Sequence, residues 1–391
     1  MPLVPALAPF RTTIFAEMSA LAARTGAINL GQGFPDSDGP PAMLEAAQQA
    51  IRDGFNQYPP GPGIPALRRA IALARQRDRG QTFDPDTEVL VTVGATEAIA
   101  AAVIALVQAG DEVIMLEPHY DSYPAVVAMS GAKHVSVQLK ATADRFALDL
   151  DDLAAAVTPR TRMILLNTPH NPTGTVLTRA ELQGIADLAI EHDLVVVADE
   201  VYEYLTFDGT EHVPIGTLPG MAERTITVSS SGKTFAATGW KIGWACGPQE
   251  LVAAVRAAKQ FLTYVGGAPF QPAVAYALEH EIAWVAELRD SLQHKRDRLC
   301  QGLTAAGFEI FRPQGTYFVV TDIRSISARL GRPADGMAFC LDLPELAGVV
   351  AVPQEVFHDD PADGRPFVRF AFCKQDRIID EAADRLARMS R

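Results

Sequence analysis

Between residues 85 and 230 the chain alternates between short apolar runs and longer helical patterns, which limits the folds open to it. The runs are rich in Val, Ile and Leu and lack a polar residue at every second position, as in strands buried on both faces. Strands separated by helices pair in parallel, with helices on both sides of the sheet. The predicted strands cover residues 88–93, 112–116, 163–166, 194–198 and 225–228. Helices are predicted over 95–107 and 178–192, the second opened by a capping box of Thr178 and Glu181. The sequence therefore predicts an α/β fold around a mostly parallel sheet.

The rest of the chain predicts a second, smaller α+β unit. Residues 272–306 have the periodicity of one long helix joining two domains, and strands are predicted over 315–321 and 367–372. The first forty residues are predicted to be mostly irregular and to pack on this second unit. We predict an N-terminal arm over 1–42, a large domain over 43–280 and a small domain over 281–391.

Composition argues against several classes of partner. A formal charge of −13 offers no basic surface to nucleic acid or to an anionic membrane. No run approaches the ~20 apolar residues of a membrane span, and the proline-containing N-terminus has no basic region typical of a signal peptide. The four cysteines lie far apart in apolar stretches, and the eight histidines show no metal-binding spacing. We expect a cytoplasmic protein with buried thiols and no metal site.

Chemically functional residues follow the predicted strands at the point where each strand ends. In an open α/β sheet these carboxyl ends share one edge, where ligands bind. The residues expected to meet there are Gly94, Ala95, Thr96, Tyr120, Asn167, Asn171, Asp199, Tyr202, Ser230 and Lys233. This set predicts a cradle for a cofactor.

Lys233 lies in the segment SSSGKTFAATGWK, whose small residues allow a cofactor to approach the backbone. A lysine amine forms a Schiff base with an aldehyde only when it is uncharged, and burial or a nearby cation such as Lys241 lowers the pKa of lysine toward that state. The alternative is a surface lysine in a turn, and this segment alone leaves both open.

Two nucleotide-binding motifs are incomplete. Gly232-Lys233-Thr234 matches the end of a P-loop, but Thr227 stands where that motif requires its first glycine. Gly31 and Gly33 begin a dinucleotide-binding fingerprint, but Asp36 occupies the position of its last glycine. We therefore reject both motifs.

Two charged residues lie in apolar strands. Asp199 ends the run LVVVAD, where a carboxylate needs a partner. A protonated pyridine nitrogen would be such a partner and would make the ring an electron sink; a helix or turn cap is the alternative. Arg369, in PFVRFAF, presents a planar fork suited to a substrate carboxylate; an arginine on the solvent face of a strand is the alternative.

Neighbouring residues supply the other contacts that a phosphorylated ring requires. Ala95 and Thr96 open a predicted helix, whose free N–H groups and dipole favour a phosphate. Ser230 and Lys241 are candidates to complete that site. Tyr202 and Asn171 are candidates to hold a phenolic oxygen, and Tyr120 is a candidate to stack on the ring.

The motifs GQGFPD, NQYPPGPG, VGATEA, EPHYDSY, NTPHNPTG, ADEVYE, SSSGKTF and VRFAF occur in this order along nearly the whole chain. The ordered set resembles fold-type I enzymes that depend on pyridoxal phosphate (PLP), specifically class I aminotransferases. It is most similar to the branch with the N-succinyldiaminopimelate, methionine and kynurenine/glutamine aminotransferases. The resemblance implies a large domain with a mostly parallel seven-stranded sheet between helices, and a smaller α+β domain. It also implies amino transfer from an amino acid to a 2-oxo acid, by a homodimer with shared active sites.

The resemblance implies a role for each matched residue. Lys233 corresponds to the Schiff-base lysine and proton shuttle, and Asp199 to the partner of the ring nitrogen. The other matched cofactor-binding positions are Tyr202, Asn171, Tyr120, Ala95, Thr96, Ser230, Lys241 and, reaching the phosphate of the neighbouring subunit, Tyr58. The matched substrate-binding positions are Gly33, Phe15, Asn171 and Arg369, the last two as the carboxylate clamp.

Two departures from the kynurenine branch concern the substrate. Thr96 stands where that branch has an aromatic residue, and Gly266-Gly267 where it has an aromatic–His pair. Both changes remove bulk and favour a longer substrate, N-succinyl-LL-2,6-diaminopimelate with 2-oxoglutarate or glutamate, in lysine biosynthesis. The alternatives are transfer from methionine, glutamine or aromatic amino acids, a β-lyase acting on cysteine conjugates, and a non-catalytic cofactor-binding protein.

Overall fold

The chain folds around two β-sheets and the helices that cover them, as seen in a computed structural model that describes residues 4–10 and 13–390. The strands, in chain order, are β1 Ile28–Asn29, β2 Val89–Val93, β3 Glu112–Glu117, β4 Lys133–Gln138, β5 Lys140–Ala141, β6 Phe146–Ala147, β7 Thr161–Asn167, β8 Val195–Asp199, β9 Thr225–Ser230, β10 Ile242–Cys246, β11 Glu309–Phe311, β12 Phe318–Asp322, β13 Val349–Val350, β14 Val352–Pro353 and β15 Phe367–Ala371.

The helices, in chain order, are α1 Ile14–Thr25, α2 Pro41–Arg52, α3 Pro65–Arg79, α4 Gly94–Leu106, α5 Ser122–Ser130, α6 Leu150–Ala156, α7 Arg179–Glu191, α8 Ser231–Thr234, α9 Gln249–Leu262, α10 Phe270–His280, α11 Ile282–Ala306, α12 Arg324–Arg329, α13 Gly336–Ala347, α14 Pro361–Gly364 and α15 Asp376–Ala387. Short 3-10 segments lie at Pro5–Phe10, Ile215–Thr217, Thr238–Trp240, Gln354–Phe357 and Arg388–Ser390. No helix of the described residues is long and apolar enough to cross a membrane.

The larger sheet has seven strands in the order β2-β10-β9-β8-β7-β3-β4, and only β10 runs antiparallel to its neighbours. Successive residues of a strand face opposite sides of the sheet. In β7, Ile164 and Leu166 therefore join one apolar cluster while Met163 and Leu165 join another. Burial on both faces accounts for the continuous apolar runs, and the predicted α/β fold with a mostly parallel sheet is confirmed.

Two strands of this sheet were not predicted. The edge strand β4 reads KHVSVQ, and its alternation of polar and apolar residues reflects its partial exposure. The strand β10 reads IGWAC, and only the single turn α8 and a short 3-10 segment separate it from β9, so no long helical pattern marks it. Thr178 caps α7 through a bond from the Glu181 N–H, which confirms the predicted capping box.

The smaller sheet has the antiparallel order β11-β12-β15-β14, and β1 pairs in parallel with β13 nearby. The prediction of a mostly irregular N-terminus is wrong over residues 14–25, which form α1. Met18, Leu21 and Ala22 of this helix are buried, and Gly26 ends it with a φ of 67°. The helix α1 packs in the same apolar cluster as β12 and α13. That the whole range 1–42 belongs with the small domain remains our proposal.

The stretch predicted as one helix over 272–306 is two, α10 and α11, separated at Glu281. The φ and ψ of Glu281, −108° and 23°, interrupt the regular helix. The division at residues 42 and 280 remains our proposal. All four cysteines are unpaired and buried, as predicted.

Candidate active site

A cavity of about 340 Å³ lies where β7, β8 and β9 end, between the two sheets. Every predicted site residue except Tyr58 contributes to its wall. These residues are Phe15, Gly33, Ala95, Thr96, Tyr120, Asn171, Asp199, Tyr202, Ser230, Lys233, Lys241 and Arg369.

Lys233 enters the cavity from α8, the single turn that follows β9. Its Nζ donates to the hydroxyl oxygen of Tyr317 over 2.8 Å and lies 5.4 Å from the ring centre of Tyr202. Burial lowers the pKa of Lys233 to about 8, and the nearby cations Lys241 and Arg369 act in the same direction. The amine is therefore far closer to its uncharged, nucleophilic state at neutral pH than a surface lysine would be.

Asp199 ends β8 with its carboxylate inside the cavity. The Tyr123 hydroxyl donates to Oδ2 over 2.6 Å, and the Val201 N–H donates to Oδ1 over 3.2 Å. The cap contact weighed as an alternative is therefore present, but it uses only one oxygen. Burial raises the pKa of Asp199 to about 6. A cationic ring nitrogen beside this carboxylate would offset the cost of its burial.

Arg369 lies at the middle of β15 and is 1% exposed, which excludes the solvent-facing alternative. Its Nη1 donates to Asn171 Oδ1 over 3.0 Å and its Nη2 to the Gly31 carbonyl over 3.3 Å. The guanidinium carbon lies 4.1 Å from the ring centre of Phe318. Among the described residues Nε has no partner, so a buried donor remains for a substrate carboxylate.

An anion fits at the N-terminus of α4. Gly94 opens this helix with a φ of 70°, and a side-chain carbon added there would lie 3.0 Å from Lys241 Nζ. A side-chain carbon on Gly243 of β10 would lie 2.6 Å from the backbone N of Ala95. The two glycines bring a cation and free N–H groups close together, as a phosphate requires. The residues present thus fit PLP at its amine, ring and phosphate positions.

Comparison with known proteins identifies the family. The family "Aminotransferase class I and II" matches residues 25–386 of the chain. The chain belongs to this aminotransferase family. The predicted family and enzyme class are confirmed, and membership implies PLP as the cofactor.

Several relatives resemble this aminotransferase over their full length. It is 58% identical to the "Probable N-succinyldiaminopimelate aminotransferase DapC" of Mycobacterium tuberculosis, covering 98% of both chains. It is 40% identical to the methionine aminotransferase of Escherichia coli, covering 99% of both. The solved structure of the M. tuberculosis N-succinyldiaminopimelate aminotransferase matches with a TM-score of 0.96 at 59% identity, covering 99% of this chain and 100% of that one.

Sequence reasoning about this aminotransferase missed two tyrosines and a phenylalanine of the site. Tyr123 lies in the quoted EPHYDSY motif, three residues after Tyr120, so its proximity to the site was detectable. Tyr317 and Phe318 lie in GTYF, a segment interpreted only as a strand. Their approach to Lys233 and Arg369 depends on how the smaller sheet packs against the larger one.

Tyr58 and the glycine pair lie outside the cavity. The side chain of Tyr58 is 81% exposed and packs edge-on against Tyr264, with ring centres 5.5 Å apart. Added side chains on Gly266 and Gly267 would lie 2.7 Å from Val93 and 2.2 Å from Ile242. Close packing within this chain therefore already requires small residues at the pair.

Within the described residues, Glu117, His119 and Asp359 are close enough together to suggest a metal site. Asp359, however, accepts bonds from His134 Nε2 at 3.0 Å and Ser136 Oγ at 2.7 Å, and its own N–H donates to Glu117. The cluster is thus held by its own hydrogen bonds. That the protein binds no metal stays a prediction.

Proposed function

We propose that this aminotransferase uses PLP attached to Lys233 to exchange an amino group between N-succinyl-LL-2,6-diaminopimelate and 2-oxoglutarate. The observation that carries the reaction type is the convergence of a lysine of lowered pKa, a buried aspartate and a buried arginine on one cavity. The substrate rests on the relatives, because the enzyme named for N-succinyldiaminopimelate is 58% identical over nearly the whole chain.

Some of these residues would hold the cofactor, and Lys233 would transfer the proton. When bound, PLP supplies an electron-withdrawing ring that stabilises negative charge at the substrate's α-carbon. Asp199 would hold the protonated ring nitrogen of the bound cofactor, and the Tyr123 hydroxyl fixes one of its carboxylate oxygens. Lys233 Nζ would take the α-proton of the substrate and give it up again, and its pKa of about 8 allows both directions near neutral pH.

The other residues orient the two substrates in turn. Arg369 and Asn171 bind the α-carboxylate common to amino acids and 2-oxo acids, which gives ping-pong kinetics with one carboxylate site. The N-terminus of α4, with Ser230 and Lys241 beside it, would hold the phosphate. Tyr120 would stack on the ring, and burial raises the pKa of Tyr120 to about 12, so it stays neutral.

A donor panel tests the substrate. Purified holoenzyme is mixed in turn with succinyl-diaminopimelate, methionine, glutamine and kynurenine, without an acceptor. Conversion of PLP to its amine form is followed by absorbance. We expect the ratio of this rate constant to KM to be largest for succinyl-diaminopimelate. A larger value for methionine would instead support the activity of the relative that is 40% identical.

We also propose a homodimer in which Tyr58 reaches the phosphate site of the neighbouring subunit. An apolar surface supports it: the exposed side chains include Tyr58 at 81%, Phe261 at 86% and Tyr264 at 51%. Large exposed aromatics of this kind mark protein contacts. Sedimentation should give twice the 42.0 kDa chain mass. Tyr58→Phe should weaken PLP binding without changing that mass; a monomer that is fully active would contradict the proposal.

A further inference from the structure

The Lys233 amine has a hydrogen-bond partner that the proposed mechanism does not use. Tyr317 precedes β12 and is 2% exposed. Its hydroxyl oxygen accepts from Lys233 Nζ over 2.8 Å, and the same hydroxyl donates to the Gly33 carbonyl oxygen over 2.6 Å. A phenol has one proton, so donation to Gly33 leaves only oxygen lone pairs to face the amine.

The ring of Tyr317 is fixed from several sides. It packs edge-on against Tyr202, with ring centres 5.2 Å apart and planes at 89°, and against Phe318 at 4.9 Å. Its own carbonyl oxygen accepts from the Phe372 N–H over 2.9 Å. The hydroxyl therefore stands at a defined place beside Lys233. Burial raises the pKa of Tyr317 well above its ordinary value, so the phenol stays protonated and does not act as a base.

This contact leaves the amine ready to accept a proton. An uncharged amine has two N–H donors and one lone pair, and the bond to Tyr317 uses a donor. The lone pair is therefore free, and the bond restricts the direction in which it points. Restricting reacting groups to one geometry contributes to rate, and small misplacements are costly.

The same hydroxyl connects the amine to the substrate-binding segment. Gly33 lines the cavity, and a side-chain carbon on it would lie 2.4 Å from the Phe318 ring. Two residues earlier, the Gly31 carbonyl accepts from Arg369. The segment that contacts Arg369 therefore also accepts the hydrogen bond from the Tyr317 hydroxyl.

We propose that Tyr317 is a positioning residue, whose hydroxyl holds the free Lys233 amine in the orientation for proton transfer and joins it to the N-terminal segment at Gly33. The proposal rests on the proposed function, because it requires Lys233 to take the substrate proton. Tyr317 acts through Lys233 and moves no proton itself.

The test is Tyr317→Phe, which keeps the ring and removes the hydroxyl. With a saturating amino donor, the rate constant for converting PLP to its amine form should fall about 10- to 100-fold while KM changes little. In the apoprotein, labelling of Lys233 by acetic anhydride should move to lower pH, because the charged amine loses an acceptor. The matched control is Tyr204→Phe, which removes a 2.6 Å hydroxyl bond to Asp78 away from the cavity.

The outcomes separate the two proposals. If the wild type fails to convert PLP to its amine form with every donor of the panel, the proposed function fails. If the wild type is active and Tyr317→Phe matches it in rate constant and in labelling profile, only the role of Tyr317 is overturned. Should Tyr317→Phe fail to fold, 3-fluorotyrosine at position 317 keeps the shape and weakens the oxygen as an acceptor. A labelling profile shifted to lower pH then supports the role, and an unshifted one overturns it.

Discussion

The chemistry of single residues depends here on burial more than on charge pairing. Burial brings the pKa values of Lys233 and Asp199 toward each other, to about 8 and about 6. Their types and order were readable from the sequence because each follows a strand at one sheet edge. Tyr317 was not, because its contact with Lys233 joins positions 84 residues apart that no local pattern connects.

At this scale we predict that Lys233→Ala removes the visible absorbance of the PLP-treated protein and its activity, because Lys241, the other lysine in the described cavity wall, is assigned to the phosphate. Borohydride reduction followed by mass spectrometry should place the label of the wild type on Lys233. Lys133→Ala, at an exposed position of β4, is the matched control. Label on another lysine would contradict the assignment.

Arg369→Lys should raise KM for the amino donor about 10- to 100-fold, since the charge remains but the planar fork is lost. The dissociation constant of PLP should change far less, because Arg369 contacts Asn171 and Gly31 and is assigned to the substrate. Steady-state kinetics and a PLP titration measure the two quantities. An unchanged KM would remove Arg369 from the carboxylate site.

At the scale of elements, continuous apolar strands that alternate with long helices were recognised, and strands outside that pattern were not. The runs that became β7 and β8 are continuous and apolar. In contrast, β4 alternates, and β10 is separated from β9 by only one helical turn and a short 3-10 segment. The helix α1 was missed although Gly26 marks its end and buried positions recur along it. These signals are found by testing residues 14–25 for helical periodicity. The prediction of an irregular segment rested instead on the motif GQGFPD, which follows the helix.

The start of α4 gives an element-scale prediction. Gly94→Ala places a methyl group 3.0 Å from Lys241 Nζ at a φ of 70°, so it should weaken PLP binding in addition to a backbone cost of about 1–2 kcal/mol. Gly80→Ala is the matched control, because its φ is 67° and nothing lies within 4 Å of the added carbon. Equal PLP affinity of the two variants would contradict the phosphate site at α4.

At the scale of the whole molecule, Asp359 links the region of the smaller sheet to the edge strand β4 of the larger one. It follows the 3-10 segment Gln354–Phe357 before β15, and it accepts bonds from His134 and Ser136 of the edge strand β4. Neither β4 nor this 3-10 segment was predicted from the sequence, and the contact joins positions more than 220 residues apart. The contact between these two segments depends on the tertiary packing of the whole chain.

Asp359→Asn should lower the free energy of unfolding at pH 7 by about 1 kcal/mol, a modest value because the carboxylate is partly exposed. The hydrogen bond from His119, with those from Ser136 and His134, holds the pKa of Asp359 well below its ordinary value of 3.8. A carboxylate whose pKa is lowered in the folded state stabilises that state at pH values above its ordinary pKa. This stabilisation is lost as the pH falls. Urea unfolding should therefore show a difference that shrinks below about pH 4. Asp290→Asn, at an exposed surface pair, is the control; a difference independent of pH would contradict the assignment.

The antiparallel direction of β10 ties the two lysines of the site to one short connection. Ser230 of β9 pairs with Gly243 of β10, so the 231–241 segment leaves and re-enters the sheet at the same edge. Both Lys233 and Lys241 belong to this segment. An insertion anywhere between them would displace the amine proposed to carry the cofactor and the cation proposed to face its phosphate relative to each other in a single step. Engineering of a longer cofactor into this scaffold must therefore redesign the whole connection rather than one end of it.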